Sequence, residues 1–491
     1  MQKSNLFIKV LCAVLVLVMA LSLCACGGGG TGDQGSSAEG KVTITVGYTA
    51  DYEGTYKKLI EAFNKEHPEI NVVSEVIPGS MKGQITQMTT LAAGNRLPDV
   101  CVGSEQFGYI LQQGWAYPLD NLIAADPDAD SIMKQALTNF SYGGHIYALP
   151  YQIQFNALVV NTDLLDSLNM DAPEYDWTVS EFVSMAKAAT TTETSGINYV
   201  YNSANPTWGL DNKLMSALLP EGYHQYGYSF DTHTIDLTAG DAWVKSNTIL
   251  QDLRNTYGLV SDELKYTAGG TSDYNKKFGE GADALLSGKV LFGNHSTWDY
   301  VIPMNGNFAF DMYPVPTGDG LEERIQTHFD FAYMTTNVTE ENRQAAYEFL
   351  KFITYGEGCL IRVADNIEQY NNRPAAFKIY IPASADPNVL AAFDEMPVAE
   401  GIKYMYRTIV ERPETIQIAD CDKLIPNFWN DIEQFRESAT ESVQSGMDPA
   451  ALVTDFQTKT ANAMEATWNY FESCMKKNIQ SFYETHPWEQ Q

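Results

Sequence analysis

Residues 41–78 read KVTITVGYTADYEGTYKKLIEAFNKEHPEINVVSEVIP. Val42, Ile44 and Val46 alternate with threonines, which predicts a half-buried strand rich in β-branched residues. Tyr56, Leu59, Ile60 and Phe63 then recur at helical spacing until His67-Pro68 ends the helix. Ile70 to Ile77 returns to strand character. Outward from this unit, Met81 to Ala93 reads as a second helix stopped at Gly94, and Asp99-Val-Cys-Val102 as a short apolar strand. A β-α-β-α-β opening of this kind predicts a mainly parallel sheet flanked by helices, so the fold class is α/β.

The chain has 491 residues, beyond the ~250–300 that one hydrophobic core supports, so two lobes are expected. Hydrophobic residues at 44% exclude a disordered chain. There are 62 Asp+Glu against 31 Lys+Arg, a net charge of −31. So acidic a surface repels phosphate backbones and anionic headgroups, which excludes nucleic acid as a partner.

Residues 1–25 carry Lys3 and Lys9, then an apolar run of 14 residues from Val10 to Leu23. That run is shorter than the ~20 residues a spanning helix needs and reads as a signal-peptide core. Leu23-Cys24-Ala25-Cys26 resembles the bacterial lipobox. The resemblance implies cleavage before Cys26 and lipidation of its thiol, placing the protein at the outer face of the bacterial cell membrane. Cys24 is the poorer acceptor because bulky Leu23 would precede it. Residues 26–40 are Gly/Ser-rich and read as a slack tether. Cys101, Cys359, Cys421 and Cys474 remain, too scattered for a staple framework. They read as free buried thiols, with one Cys421–Cys474 disulfide as the alternative.

Farther along, Thr178 and Glu181 form a capping box ahead of the Phe182, Met185, Ala186, Ala189 stripe. Phe308 to Val315 reads as a strand and Asn337 to Tyr355 as a helix. Asp448-Pro449 opens a long helix through about Ser473. Trp243 and Trp468 fall within helices and are assigned to the core.

Enzymatic and metal motifs are weak. The seven histidines form no paired ligand spacing. Asp126, Asp128 and Asp130 mimic a calcium loop, but Ser131 and Leu137 stand where Gly and a carboxylate are required. Gly279-Glu-Gly281 mimics a dinucleotide loop without a preceding strand. The chain has no G-x-S-x-G elbow and no P-loop. No metal, cofactor or catalytic activity is therefore expected.

Several segments together resemble the extracellular solute-binding proteins of bacterial ABC importers (family 1). These are FNKEHPEI (63–70), LAAGNRLPDV (91–100), GWAYPL (114–119), YALPY (147–151) with LVVN (158–161), DWTVSEF (176–182), GKVLFG (288–293) leading to Trp298, and AAYEFLKF (345–352). The chain departs from many relatives at Phe329-Asp330, where they carry Gly-Gly. The resemblance implies a two-lobed periplasmic-binding-protein-like (type II) fold with hinge crossings and a helical C-terminal region. Chain order then assigns 41–152 and 310–370 to the first lobe, and 153–309 and 371–491 to the second. It further implies a monomer that captures a sugar, an oligosaccharide above all, and delivers it to permease subunits. A non-sugar solute such as a peptide or polyamine is the alternative, and a glycan-active enzyme a more remote one.

Sugar sites pair aromatic platforms with polar side chains. Strand-end and crossing positions nominate Tyr48, Asp51, Gln106, Phe107, Tyr151, Gln154 and Arg373, and the loop rich in Tyr, Asn, Gly and Trp nominates Trp208. Trp298-Asp299 match the family's tryptophan block, and Trp429, in IPNFW (425–429), resembles its C-terminal stacking segment.

Overall fold

In the computed structural model the described residues are 41–79, 81–103, 106–198, 209–257, 270–428 and 432–490. Strand β1 (Val42–Thr49), helix α1 (Glu53–Glu66), β2 (Ile70–Ile77), α2 (Met81–Ala93) and β3 (Val100–Gly103) form the opening unit. β1 pairs in parallel with both β2 and β3, the arrangement that the alternating pattern predicts. Tyr56, Leu59 and Phe63 are the buried face of α1.

The chain then crosses between two sheets. β4 (Leu149–Phe155) belongs to the first and β5 (Ala157–Asn161) to the second, with Asn156 alone between them. The second sheet adds β6 (Ser195–Asn198), β7 (Val290–Gly293) and β8 (Phe310–Pro314). The chain returns through β9 (Ile325–Met334), followed by β10 (Ile381–Pro382) and β11 (Ile416–Ile418). Among the described residues the larger sheet has order β10-β4-β9-β3-β1-β2 with β11 on β9, and the smaller has order β8-β5-β7-β6. The fold is two-lobed α/β.

Two segments lie elsewhere than chain order suggests. β8, placed with the first lobe from sequence, pairs along its whole length with β5 in the smaller sheet, so this crossing falls between Pro314 and Ile325. β10 and β11, from the 371–491 stretch placed with the second lobe, pair with β4 and β9 of the larger sheet. Both are two or three residues long, too short for periodicity to announce.

Later helices cover these sheets. Between β6 and β7 lie α3 (Leu210–Leu218) and α4 (Ala242–Tyr257); after β9 come α5 (Arg343–Thr354) and α6 (Gly358–Asn372). The last long helix, α7 (Pro449–Thr485), starts where Asp448 accepts a hydrogen bond from the Ala450 amide, and it runs well past Ser473. Gln457 ties it to the backbone of Ile235 and Leu237, and Asn478 to that of Leu111 and Gln112. Beyond its end, Glu489 accepts from Tyr117 and Asn121 and pairs with Arg343. Trp243 and Trp468 are buried. Cys101, Cys359, Cys421 and Cys474 are all free thiols, so the Cys421–Cys474 disulfide is not formed.

Candidate functional site: the crossing between the sheets

β4 and β9 are antiparallel, with Gln152 opposite Asp330 and Gln154 opposite His328. Because side chains alternate, Gln152, Gln154, Gln326, His328 and Asp330 form one polar face. Ile153, Phe155 and Phe329 turn the other way into the core. The sequence carries both halves of this pattern, in LPYQIQF (149–155) and IQTHFD (325–330).

A buried polar knot joins the two crossings. The Asn156 amide nitrogens bond Gln326 twice, backbone to backbone at 3.0 Å and side chain to side chain at 3.0 Å. Asn156 Oδ1 accepts from Ser296 Oγ at 3.2 Å and from His328 Nε2 at 3.1 Å. Gln326 Nε2 donates to the Lys213 carbonyl, and Lys213 Nζ donates to Ala157 O at 3.0 Å. Burial pushes the Lys213 amine down to about 7, against a smaller upward pull from Asp299. Burial, then the charges of Lys423 and Lys213, hold His328 well below the usual histidine value. His328 is therefore neutral at pH 7, and the proton on Nε2 is assigned from its bond to the Asn156 oxygen.

Asp330 is gripped from two sides. Gln152 Nε2 donates to one oxygen at 2.6 Å and Lys423 Nζ to the other at 3.2 Å. Gln152 is itself held by Arg362, which donates to its Oε1 at 2.7 Å. Lys423 also donates to Phe329 O and pairs with Asp420 at 3.0 Å. A register shift between Asp330 and Phe331 re-aims the strand at this point. Gly103, opposite Phe331, permits the close approach: a Cβ there would lie 2.7 Å from the Phe331 ring.

Open α/β sheets bind ligands beyond the carboxyl ends of their strands. In the smaller sheet β6 and β7 run parallel and end at Asn198 and Gly293, followed by Asn294, His295, Trp298 and Asp299. In the larger sheet β1 and β3 end just before Tyr52 and Gln106. Thr297 fastens the tryptophan turn to β4: its hydroxyl accepts from the Phe155 amide and donates to Gln154 Oε1 at 2.6 Å. Trp298 stands edge-on to His328, ring centres 5.0 Å apart, and is half-buried. Asp299 and His295 are 3.5 Å apart. The arrangement is a polar floor with an aromatic wall and two partly exposed carboxylates, suited to hydrogen-bond donors on a small organic solute.

Gln154, Trp298 and Asp299 meet at this crossing. Gln106 is partly buried at the start of the helix Phe107–Gln112, in the left-handed backbone region (φ 59°). Asp51 is exposed and pairs with Lys378 at 3.2 Å. Arg373 is exposed at the end of α6. Three aromatic candidates lie in the core instead. Tyr48 is 1% exposed and stacks on Tyr56 at 4.1 Å, because it shares strand parity with Ile44 and Val46. Phe107 packs against Phe140 and Phe331, and Tyr151 bonds Tyr56 through its hydroxyl. Trp208, Trp429 and Cys26 lie outside the described residues. Sequence reasoning missed Gln152, Asn156, Lys213, His328 and Asp330; period-two alternation around each crossing was the available signal for most of them.

Among the described residues no group of three His, Cys, Asp or Glu side chains is placed to hold a metal. The mimic of a calcium loop is engaged otherwise: Asp126 and Asp128 pair with Lys351, and Asp130 pairs with Lys134.

Solved structures share this architecture. The ABC substrate-binding protein Lmo0181 from Listeria monocytogenes, in complex with cycloalternan, is 18% identical with a TM-score of 0.59, covering 87% of this chain and 99% of that one. The sugar-binding protein MalE from Xanthomonas citri is 15% identical with a TM-score of 0.64, covering 88% and 99%. The GacH receptor of Streptomyces glaucescens, solved unliganded and with acarbose, is 20% identical with a TM-score of 0.56, covering 87% and 99%. At such identities the likeness establishes the fold. The profile described as bacterial extracellular solute-binding protein matches residues 47–354, well over half of the sequence, and the chain belongs to that family.

Proposed function

We propose that this chain is the substrate-binding lipoprotein of an ABC importer, capturing a carbohydrate between its lobes and delivering it to the permease. The observation that carries the reading is Trp298, a half-buried ring edge-on to His328, with Asp299 next to it in the chain and Asp330 on the same strand face as His328. A flat apolar face suits a sugar ring, and carboxylates accept its hydroxyls. Cycloalternan and acarbose in similarly folded proteins support the same ligand class. Within that class the reading favours an oligosaccharide. Cys26 would tether the protein to the outer membrane face, where it acts as a monomer.

A thermal-shift screen over neutral mono- and oligosaccharides tests the reading. A ligand at 100 times its dissociation constant adds ~2.7 kcal/mol of stability. Binding should be stoichiometric and leave the sugar intact; appearance of shorter products would make the chain an enzyme. The carboxylates also favour a second reading, a cationic solute such as a polyamine. Stabilisation by spermidine and by no sugar would select it.

A further inference from the structure

The carboxylate of Asp330 is placed differently from every other acidic side chain at the crossing. Its two anchors, Gln152 and Lys423, are each 6% exposed, whereas its own side chain is 19% exposed. Those anchors are themselves fixed. Arg362 lies between the Tyr151 and Tyr380 rings and bonds Gln152, while Lys423 is held by Phe329 O and Asp420. The carboxylate therefore has one orientation and does not reorganise to meet a ligand.

A carboxylate offers about four lone-pair directions. Gln152 takes one on one oxygen and Lys423 one on the other, leaving two unclaimed among the described residues. Among the described residues Lys423 is the one ammonium in contact with Asp330, and it is shared with Asp420. Asp299 adds another partly exposed carboxylate beside Trp298. Asp330 and Asp299 are partly exposed, whereas the cations Lys423 and Arg362 are buried behind them, so a ligand at this face meets the carboxylates first.

We propose that Asp330 selects the ligand's charge: it accepts hydrogen bonds from hydroxyl or ammonium donors and turns away ligands with an acidic group at that position. This inference rests on the carbohydrate-binding reading and sharpens it to donor-rich, non-anionic sugars. An incoming carboxylate would face the fixed carboxylate of Asp330, the repulsive element that specificity commonly uses.

The experiment compares neutral xylo- and gluco-oligosaccharides with counterparts bearing one glucuronic acid, by calorimetry on the purified full-length protein and on Asp330→Asn. The expected result is at least about tenfold tighter binding of the neutral partner by the native protein. In Asp330→Asn the neutral ligand should weaken about 10- to 100-fold, the gap between partners should narrow, and the melting temperature should hold. Equal affinity for neutral and acidic partners in the native protein overturns the inference, whether or not the variant folds. So does an Asp330→Asn variant that folds and binds both as the native protein does. A native protein that answers to spermidine and to no sugar overturns the carbohydrate reading, and Asp330→Asn then decides this inference on spermidine. Response to neither overturns both.

Discussion

The guanidinium of Arg362 lies 3.9 Å from the ring centre of Tyr151, with the Tyr380 ring 3.6 Å away. This buried stack stands directly behind the polar floor, because Arg362 also donates to Gln152, which holds Asp330. A planar, delocalised cation suits two ring faces in a way a lysine ammonium does not. Arg362→Lys should therefore cost about 1–3 kcal/mol of folding stability. Arg362→Met, which leaves the Gln152 oxygen without its donor, should cost about 2–4 kcal/mol. Urea unfolding midpoints measure both. A shift below about 0.5 kcal/mol for Arg362→Met would mean that the stack contributes little.

The sequence makes regular elements legible where one pattern dominates. Ile70–Ile77 is read at its true bounds because His67-Pro68 fixes one side and Pro78 the other. The capping box at Thr178 and Glu181 is present, each side chain bonded to the other's backbone amide. The long C-terminal helix is legible from Asp448-Pro449, but its last turns are not, since their stability comes from docking on Leu111, Gln112 and Thr336. Site residues are legible only where chemistry and parity agree. Tyr48 ends a strand as a cleft residue would, yet two-residue parity puts it with Ile44 and Val46. His328 and Asp330 sit in a strand whose neighbours are apolar, so their exposure depends on the partner strand β4, which no local window contains.

The anchor prediction concerns the leader. Cys26→Ser removes the thiol that the lipobox resemblance assigns to lipidation. The variant should leave the membrane fraction and fail to incorporate labelled palmitate. Continued labelling of Cys26→Ser would remove Cys26 as the acceptor and bring Cys24 forward.

Lys213 gives a pH prediction. Its folded pKa is lowered by burial to about 7, while an unfolded lysine titrates near ~10.4. Between those values the unfolded chain binds the extra proton, so this group's contribution makes stability rise with pH from about 7 towards 10. Below about 7 both states are protonated and the penalty of the buried ammonium is present in full. Lys213→Met removes that titration, so its stability relative to the native protein should be most favourable at pH 7 and decline towards pH 9. Urea unfolding at pH 7, 8 and 9 measures the difference. Parallel curves would show that Lys213 does not titrate in this range.

Trp298 decides whether the crossing is a binding site at all. Its ring is half-buried and meets His328 edge-on. Trp298→Ala should weaken the carbohydrate found in the screen by about 1–3 kcal/mol, as expected for a truncated aromatic anchor. A core tryptophan behaves in the opposite way, since its truncation would cost ~3–5 kcal/mol of folding stability. Affinity and melting temperature measured on the same variant separate these cases. Weaker binding with native far-UV dichroism and a melting temperature within a few degrees places Trp298 under the ligand. An unchanged affinity with a collapsed melting temperature places it in the core, and the search for the platform then moves to Trp208 and Trp429.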